Sequence, residues 1–309
     1  MKLKKILDGY DFILTEAAVI EPLRRSKAVD LHPYLENSLL IYDEAGKKAL
    51  TVLYHTFIDV ARKAGVPIII CTPTWRANQE RLSAANITKR VNEDAVAFLK
   101  QVRNGCGAWV ENVIIGGLIG CKNDCYKPDE GLLEAEAEEF HLWQIAEFAN
   151  AGVDFILAAT LPALPEAIGI ARAMAKTDTP YIISFVINKG GRILDGNSLE
   201  NAFRRIDSIC SRPPIGYMIN CSYPSFLDAH KQPRSVLSRL IGYQANASAY
   251  EHSQLDGAEA LQANPIDDWG NLMIELNRKY GIKILGGCCG TSHGHLQYLV
   301  QNMRSEQRR

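Results

Sequence analysis

The run GGCCGT at Gly286–Thr291 places two adjacent cysteines among glycines. Cys288 and Cys289 are poor partners for each other in a disulfide, because the small ring they would close is strained. Gly286, Gly287 and Gly290 leave the backbone free to take unusual dihedrals, so both sulfurs can turn toward one ion. A third cysteine, Cys221, stands in INCSYP at the end of another apolar run. Three soft sulfur donors favour zinc among the common metals. Three protein ligands leave a fourth tetrahedral position open, the layout of a catalytic zinc. A free thiol has a pKa of about 8.5, and metal ligation deprotonates it at neutral pH. The chemistry these residues suit is activation of a sulfur nucleophile. An isolated cysteine is ordinarily a small core residue; the adjacency, the glycines and the third strand-end cysteine set this group apart.

Such a site needs elements that bring Cys221 to the pair near residue 288. Short apolar runs read as buried parallel strands at Asp11–Thr15, Pro67–Cys71, Asn112–Gly116, Asp154–Ala158, Tyr181–Phe185, Gly216–Asn220, Leu240–Gln244 and Ile282–Leu285. Helical spacing follows at Asp43–Gly65, Leu132–Gly152, Ala163–Lys176, Leu199–Ser211, Pro265–Gly281 and His293–Arg304, three of these ending in a glycine suited to a helix C-terminus. Strict alternation of strand and helix implies a parallel sheet covered by helices. The candidate residues follow many different strands and do not gather at one switch point, which favours a closed barrel over an open sheet. The expected fold is a single (β/α)8 TIM barrel spanning residues 1–309. In it the ends of strands six and eight share one rim on either side of strand seven, so the metal site is expected there.

The length of 309 residues, 47% hydrophobic and 22% charged, suits one globular barrel. A net charge of -1 gives no electrostatic footprint for nucleic acid or an anionic membrane. No apolar run approaches the roughly 20 residues that span a bilayer. The start, MKLKKILDGYDFILTE, lacks the long apolar core of a signal peptide and reads as the beginning of the barrel. A reducing cytoplasm is therefore expected. There the eight cysteines are free thiols or metal ligands, and the N-x-S/T triplets at Asn86, Asn220 and Asn246 carry no glycan. Self-association is left open by the sequence.

The segments GYMINCSYP, IKILGGCCGTSHGHL, AGVDFILAATLPALPEA, ICTPTWRANQERL and GLIGCKNDCYKP resemble those of the homocysteine S-methyltransferase family, from about residue 11 to residue 303. The resemblance implies a (β/α)8 barrel in which Cys221, Cys288 and Cys289 hold zinc. It implies a small-molecule thiol acceptor, homocysteine in the family, and a sulfonium or quaternary-amine methyl donor. It also brings Thr160, Asn220, Asn246 and Ser248 into the group of substrate-side candidates. Two departures stand out. Where the family has an Asp-Gly-Gly run ending the first strand, this chain has Leu14-Thr15-Glu16-Ala17-Ala18, and the family's Glu-Thr after the fourth strand is Ala159-Thr160 here. Glu16 offers a replacement acid for a substrate ammonium; otherwise the acceptor is a thiol lacking that ammonium. Thr72 and Thr74, after the second strand, suit either a substrate carboxylate or a turn.

Several residues have plainer readings beside a functional one. His295 reads as a second-shell group or a surface residue at a helix start. Cys121 and Cys125 form a C-x3-C pair without further ligands nearby in sequence. Trp75 reads as a donor-pocket wall or loop packing, and Ser184 as filling of the barrel interior. Two rival functions remain at this level. One is a zinc hydrolase with water in the open position, which three charge-donating thiolates disfavour. The other is a zinc-binding barrel without homocysteine activity, using a different thiol or binding a methylated ligand or corrinoid partner.

Overall fold

The computed structural model describes residues 2–251 and 262–304. Eight parallel strands close into one barrel in chain order: β1 (Ile13–Thr15), β2 (Ile68–Cys71), β3 (Val113–Ile119), β4 (Phe155–Leu161), β5 (Tyr181–Phe185), β6 (Gly216–Ser222), β7 (Leu240–Ala245) and β8 (Ile284–Gly287). Closure is made at Leu14, which pairs with Ile68 of β2 on one side and Leu285 of β8 on the other. The expected (β/α)8 barrel is the observed one.

Helices cover the outside. Glu44–Ala64, Glu134–Ala151 and Ile266–Tyr280 end on Gly65, Gly152 and Gly281, whose φ values of 66°, 68° and 73° lie in the left-handed region. A side chain is strained in that conformation, so these three glycines set the helix ends as the sequence suggests. The helix Val91–Asn104 has no counterpart among the sequence-based expectations, although its buried Val91, Ala95, Leu99 and Val102 repeat at helical spacing. No helix among the described residues is long and apolar enough to cross a membrane.

Five strands end beyond their apolar runs, β7 at Ala245 and β8 at Gly287 among them. β3 extends to Ile119, β4 to Leu161 and β6 to Ser222. The extensions of β4 and β6 carry Thr160 and Ser222, polar residues that an apolar pattern leaves out. Cys221 therefore lies inside β6 and not after it.

The barrel interior is layered. Ile13, Ile69, Ile114, Phe155, Leu157, Ile182, Met218 and Ile284 form its apolar part. The basic start of the chain is a helix, Lys2–Gly9, that presses Leu3 and Ile6 into that cluster. Further along the strands the interior turns polar: the Gln244 amide donates to Thr15 Oγ1 at 2.6 Å, and Ser184 Oγ donates to Asn220 Oδ1 at 2.7 Å. Polar groups buried this deeply must find each other, because unpaired they would be expensive to desolvate.

Leu3 is fully buried, so Leu3→Ala leaves a cavity in the interior cluster. The expected loss is about 2–4 kcal/mol in urea unfolding with an unchanged m-value. A loss well under ~1 kcal/mol would show that the first helix is no part of the core.

Candidate metal centre

A regular strand alternates its side chains between faces, so Asn220 and Cys221 would point to opposite sides of β6. They do not behave as a regular pair. Cys221 has φ 52°, and the β6–β7 register shifts between Asn220 and Ser222. This irregularity breaks the alternation and lets the Cys221 sulfur meet the loop that leaves β8. The end of β7 ties both sides together. Asn246 N donates to Ser222 O at 3.1 Å, and Asn246 Nδ2 to Cys221 O at 3.0 Å. On the other side, Cys288 N donates to Ala245 O at 2.7 Å and Ala247 N to Cys289 O at 2.9 Å. Thr291 Oγ1 closes the loop on Cys288 O at 2.6 Å, and Gly290 N donates to the Glu21 carboxylate.

The result is a triangle of sulfurs. Those of Cys221, Cys288 and Cys289 all lie within 4.8 Å of one another, and no other such group of three ligand atoms occurs among the described residues. Cys221 and Cys288 are joined sulfur to sulfur with Cα atoms 5.5 Å apart, while Cys289 is a free, exposed thiol. The fold brings this pair into bonding reach, and the other six cysteines are free thiols. Two electrons and two protons return the pair to thiols, and that reduced form is the one able to ligate a metal. Once reduced, this soft, all-sulfur donor set is one that could hold a metal ion.

The glycines serve a different purpose from the expected one. Of the three flanking the cysteines, only Gly290 has a positive φ, 78°. Gly286 and Gly287 permit close approach instead. A Cβ on Gly286 would stand 2.8 Å from Thr15 O and 2.9 Å from Glu16 O, and one on Gly287 would collide with the Thr291 side chain.

The remaining candidates divide into two groups. Thr160, Asn220 and Asn246 gather around Cys221. Thr160 Oγ1 lies 3.9 Å and Asn220 Nδ2 3.5 Å from the Cys221 sulfur, and Asn246 Oδ1 is buried without a hydrogen-bond partner. The others spend their polar groups on the fold. Thr72 donates to Thr74 at 2.7 Å, accepts from Leu118 N at 2.9 Å, and Thr74 donates to Leu118 O at 2.9 Å. These bonds stitch β2 to β3. Ser248 Oγ accepts from Tyr250 N at 3.2 Å, a turn contact. Glu16 is buried, with Oε2 accepting from Cys71 N at 2.8 Å. Burial pushes its pKa up to about 8, only partly offset by that bond, so at neutral pH it presents no charge to a substrate ammonium.

His295 is buried, not at the surface. Its Nδ1 accepts from Ser292 N at 3.2 Å, its ring stands edge-on to Trp269 at 5.0 Å, and burial lowers its pKa to about 4. Trp75 packs under the Arg76 guanidinium at 3.9 Å and accepts from Gly120 N through its carbonyl, the loop-packing role. Cys121 and Cys125 are buried thiols in the loop after β3. That loop also brings Tyr126 beside Cys289 and Asn246. Tyr126 and Glu21 are the residues at this rim that the sequence does not single out. Nothing in CKNDCYKP marks its tyrosine, and an acid in the first turn of the helix Ile20–Ser26 reads as an ordinary partner of the helix dipole.

Comparison with known proteins agrees with this geometry. The sequence profile of the family described as homocysteine S-methyltransferase matches residues 14–303. The chain is 25% identical to homocysteine S-methyltransferase YbgG of Bacillus subtilis (strain 168), over 98% of both chains. It is 24% identical to homocysteine S-methyltransferase 4 of Zea mays over 58% of this chain and 53% of that one. Among solved structures, the homocysteine methyltransferase MmuM of Escherichia coli superimposes with a TM-score of 0.74 in its metallated form and 0.75 in its oxidised form. Each is 16% identical, and the alignments cover 98% of this chain and 100% and 99% of theirs. At that identity the likeness is one of fold.

Glu16 gives a pH signature. Its pKa in the folded chain, about 8, lies above the ordinary value of 4.5 that it takes when unfolded. Between those values the folded state holds the extra proton, so the stability Glu16 contributes is full below pH ~4.5 and is lost as pH rises through ~8. Glu16→Gln is expected to flatten the stability–pH curve across that window in urea titrations. An unchanged slope would place an ionised carboxylate at residue 16.

Proposed function

The chain belongs to the homocysteine S-methyltransferase family, and on that footing we propose that it methylates a thiol, homocysteine or a related one. The donor in this reading is a sulfonium or a quaternary amine, and Cys221, Cys288 and Cys289 hold zinc. The observation that carries it is the triangle of sulfurs within 4.8 Å at the ends of β6 and β8. Zinc, when bound, supplies the positive charge that lets an acceptor thiol lose its proton at neutral pH. The protein positions the rest. The acceptor sulfur attacks the donor's methyl carbon, one carbon–sulfur bond forms as the donor's carbon–onium bond breaks, and the electron pair of that bond leaves with a neutral thioether or tertiary amine. Such an in-line displacement needs both partners aligned within one mouth, and alignment is a large share of what an enzyme contributes.

The surroundings favour a modest demand on the acceptor's ammonium. Ala159, where the family resemblance places a glutamate, packs with the apolar interior cluster, and Glu16 is neutral. Losing a carboxylate that faces a buried ammonium costs on the order of 2–5 kcal/mol, and neither residue 16 nor residue 159 presents an ionised one. A thiol without an α-ammonium therefore fits this mouth as well as homocysteine does.

The test is a panel of acceptors (homocysteine, 4-mercaptobutyrate, cysteine) against S-methylmethionine and glycine betaine on reduced, zinc-loaded protein, with S-methyl products read by mass spectrometry. The expected result is methylation of at least one four-carbon thiol, lost together with zinc in Cys289→Ala. Zinc-loaded protein that methylates no thiol with either donor, or Cys289→Ala retaining full turnover, would contradict the reading.

A further inference from the structure

We propose that Thr160 and Asn220 are positioning residues for the metal-ligating sulfur of Cys221, and not contacts for the substrate. Together they form a donor pair that draws charge from this one thiolate. The inference rests on the proposed role of Cys221 as a metal ligand.

The geometry makes Asn220 a hub joining three strands. Its Oδ1 accepts from Thr160 N of β4 at 2.8 Å and from Ser184 Oγ of β5 at 2.7 Å. A backbone N–H can only donate, so the amide orientation is fixed and Nδ2 faces the other way. Nδ2 donates to Thr160 Oγ1 at 2.6 Å and lies 3.5 Å from the Cys221 sulfur. Thr160 Oγ1 is thereby already an acceptor. Its own proton needs another partner, and the Cys221 sulfur at 3.9 Å provides one. Both residues are buried, so the donors do not compete with bulk water.

The backbone is bent to make this arrangement. Thr160 has φ 60°, and the β4–β5 register shifts between Ala158 and Leu161. A β-branched residue in the left-handed region is strained, and such strain persists only where the surroundings enforce it. Cys221, across the barrel mouth, takes the same conformation at φ 52°. Two strands separated by β5 thus carry matching irregularities, and the side chains at these two positions meet. If Thr160 only filled space, an unstrained strand conformation would serve. Hydrogen bonds to a ligating thiolate reduce the charge it gives the metal and keep it less nucleophilic than the acceptor thiolate, which has no such donors from these two residues.

Cobalt(II) is the probe, bound to the reduced full-length protein, because its sulfur-to-metal charge-transfer band reports the charge on the ligating sulfurs. Thr160→Val keeps the branched shape and removes the hydroxyl. The expected result is a band moved to lower energy and metal affinity weakened about 10–100-fold in chelator competition. Thr160→Ser is expected to keep both at the parent's values. Thr160→Gly, which relieves the backbone strain, is expected to show the same band shift as Thr160→Val. This holds the test open even if the valine variant is unstable. A band at the parent's position in cobalt-loaded Thr160→Val or Thr160→Gly would overturn the proposal. So would a rise in acceptor KM with neither band nor affinity changed, which would return Thr160 to the substrate. Parent protein that binds no cobalt through sulfur would instead overturn the metal reading beneath it.

Discussion

Three sulfurs reach one point only because one strand stops behaving as a strand. A residue-by-residue alternation along β6 would send Asn220 and Cys221 to opposite sides. The left-handed conformation at Cys221 and the register shift beside it break the alternation where the chain passes the barrel mouth. Everything else at the mouth answers to that bend. The end of β7 binds Cys221 through Asn246 and the Cys288–Cys289 loop through Ala245 and Ala247. Gly286 lets that loop pass close against the end of β1, and Gly287 makes room for the Thr291 side chain.

The energetic logic is one of burial in layers. Branched and aromatic side chains fill the lower barrel and are sealed by the first helix, so the strands are held firmly well below the site. Above them a layer of amides and hydroxyls takes over, with Gln244 paired to Thr15 and Asn220 to Ser184 and Thr160. A polar layer of this kind is costly if any partner is missing, and it is correspondingly specific: it permits few arrangements of the strand ends. Strain at Thr160 and Cys221 is tolerable because the layers beneath fix the strands that carry them.

Much of this was legible in the amino-acid order. Alternating apolar runs and helical stretches carried the barrel, and a cysteine pair among glycines, joined by a third at another strand end, carried the metal centre. The places where the sequence misleads are physical. Apolar patterning ends a strand where its polar mouth residues begin, so Thr160 and Cys221 fell outside the strands expected for β4 and β6. Helical spacing in Val91–Asn104 was present but unread. Glu16 looked like an available acid because its residue type carries no record of burial, and the Cys71 backbone that claims it is 55 positions away. Thr72 and Thr74 looked like strand-end ligands until β3 supplied their partners. Glu21 and Tyr126 reach the rim through long-range packing that no local pattern encodes.

The central claim is that the three sulfurs share one ion. Zinc-edge X-ray absorption on the reduced protein tests it most directly. The account predicts three sulfur neighbours at about 2.3 Å and one lighter atom, with the lighter atom replaced by a fourth sulfur when an acceptor thiol is added. Zinc with two or fewer sulfur neighbours, or a shell unchanged by every thiol, would contradict it.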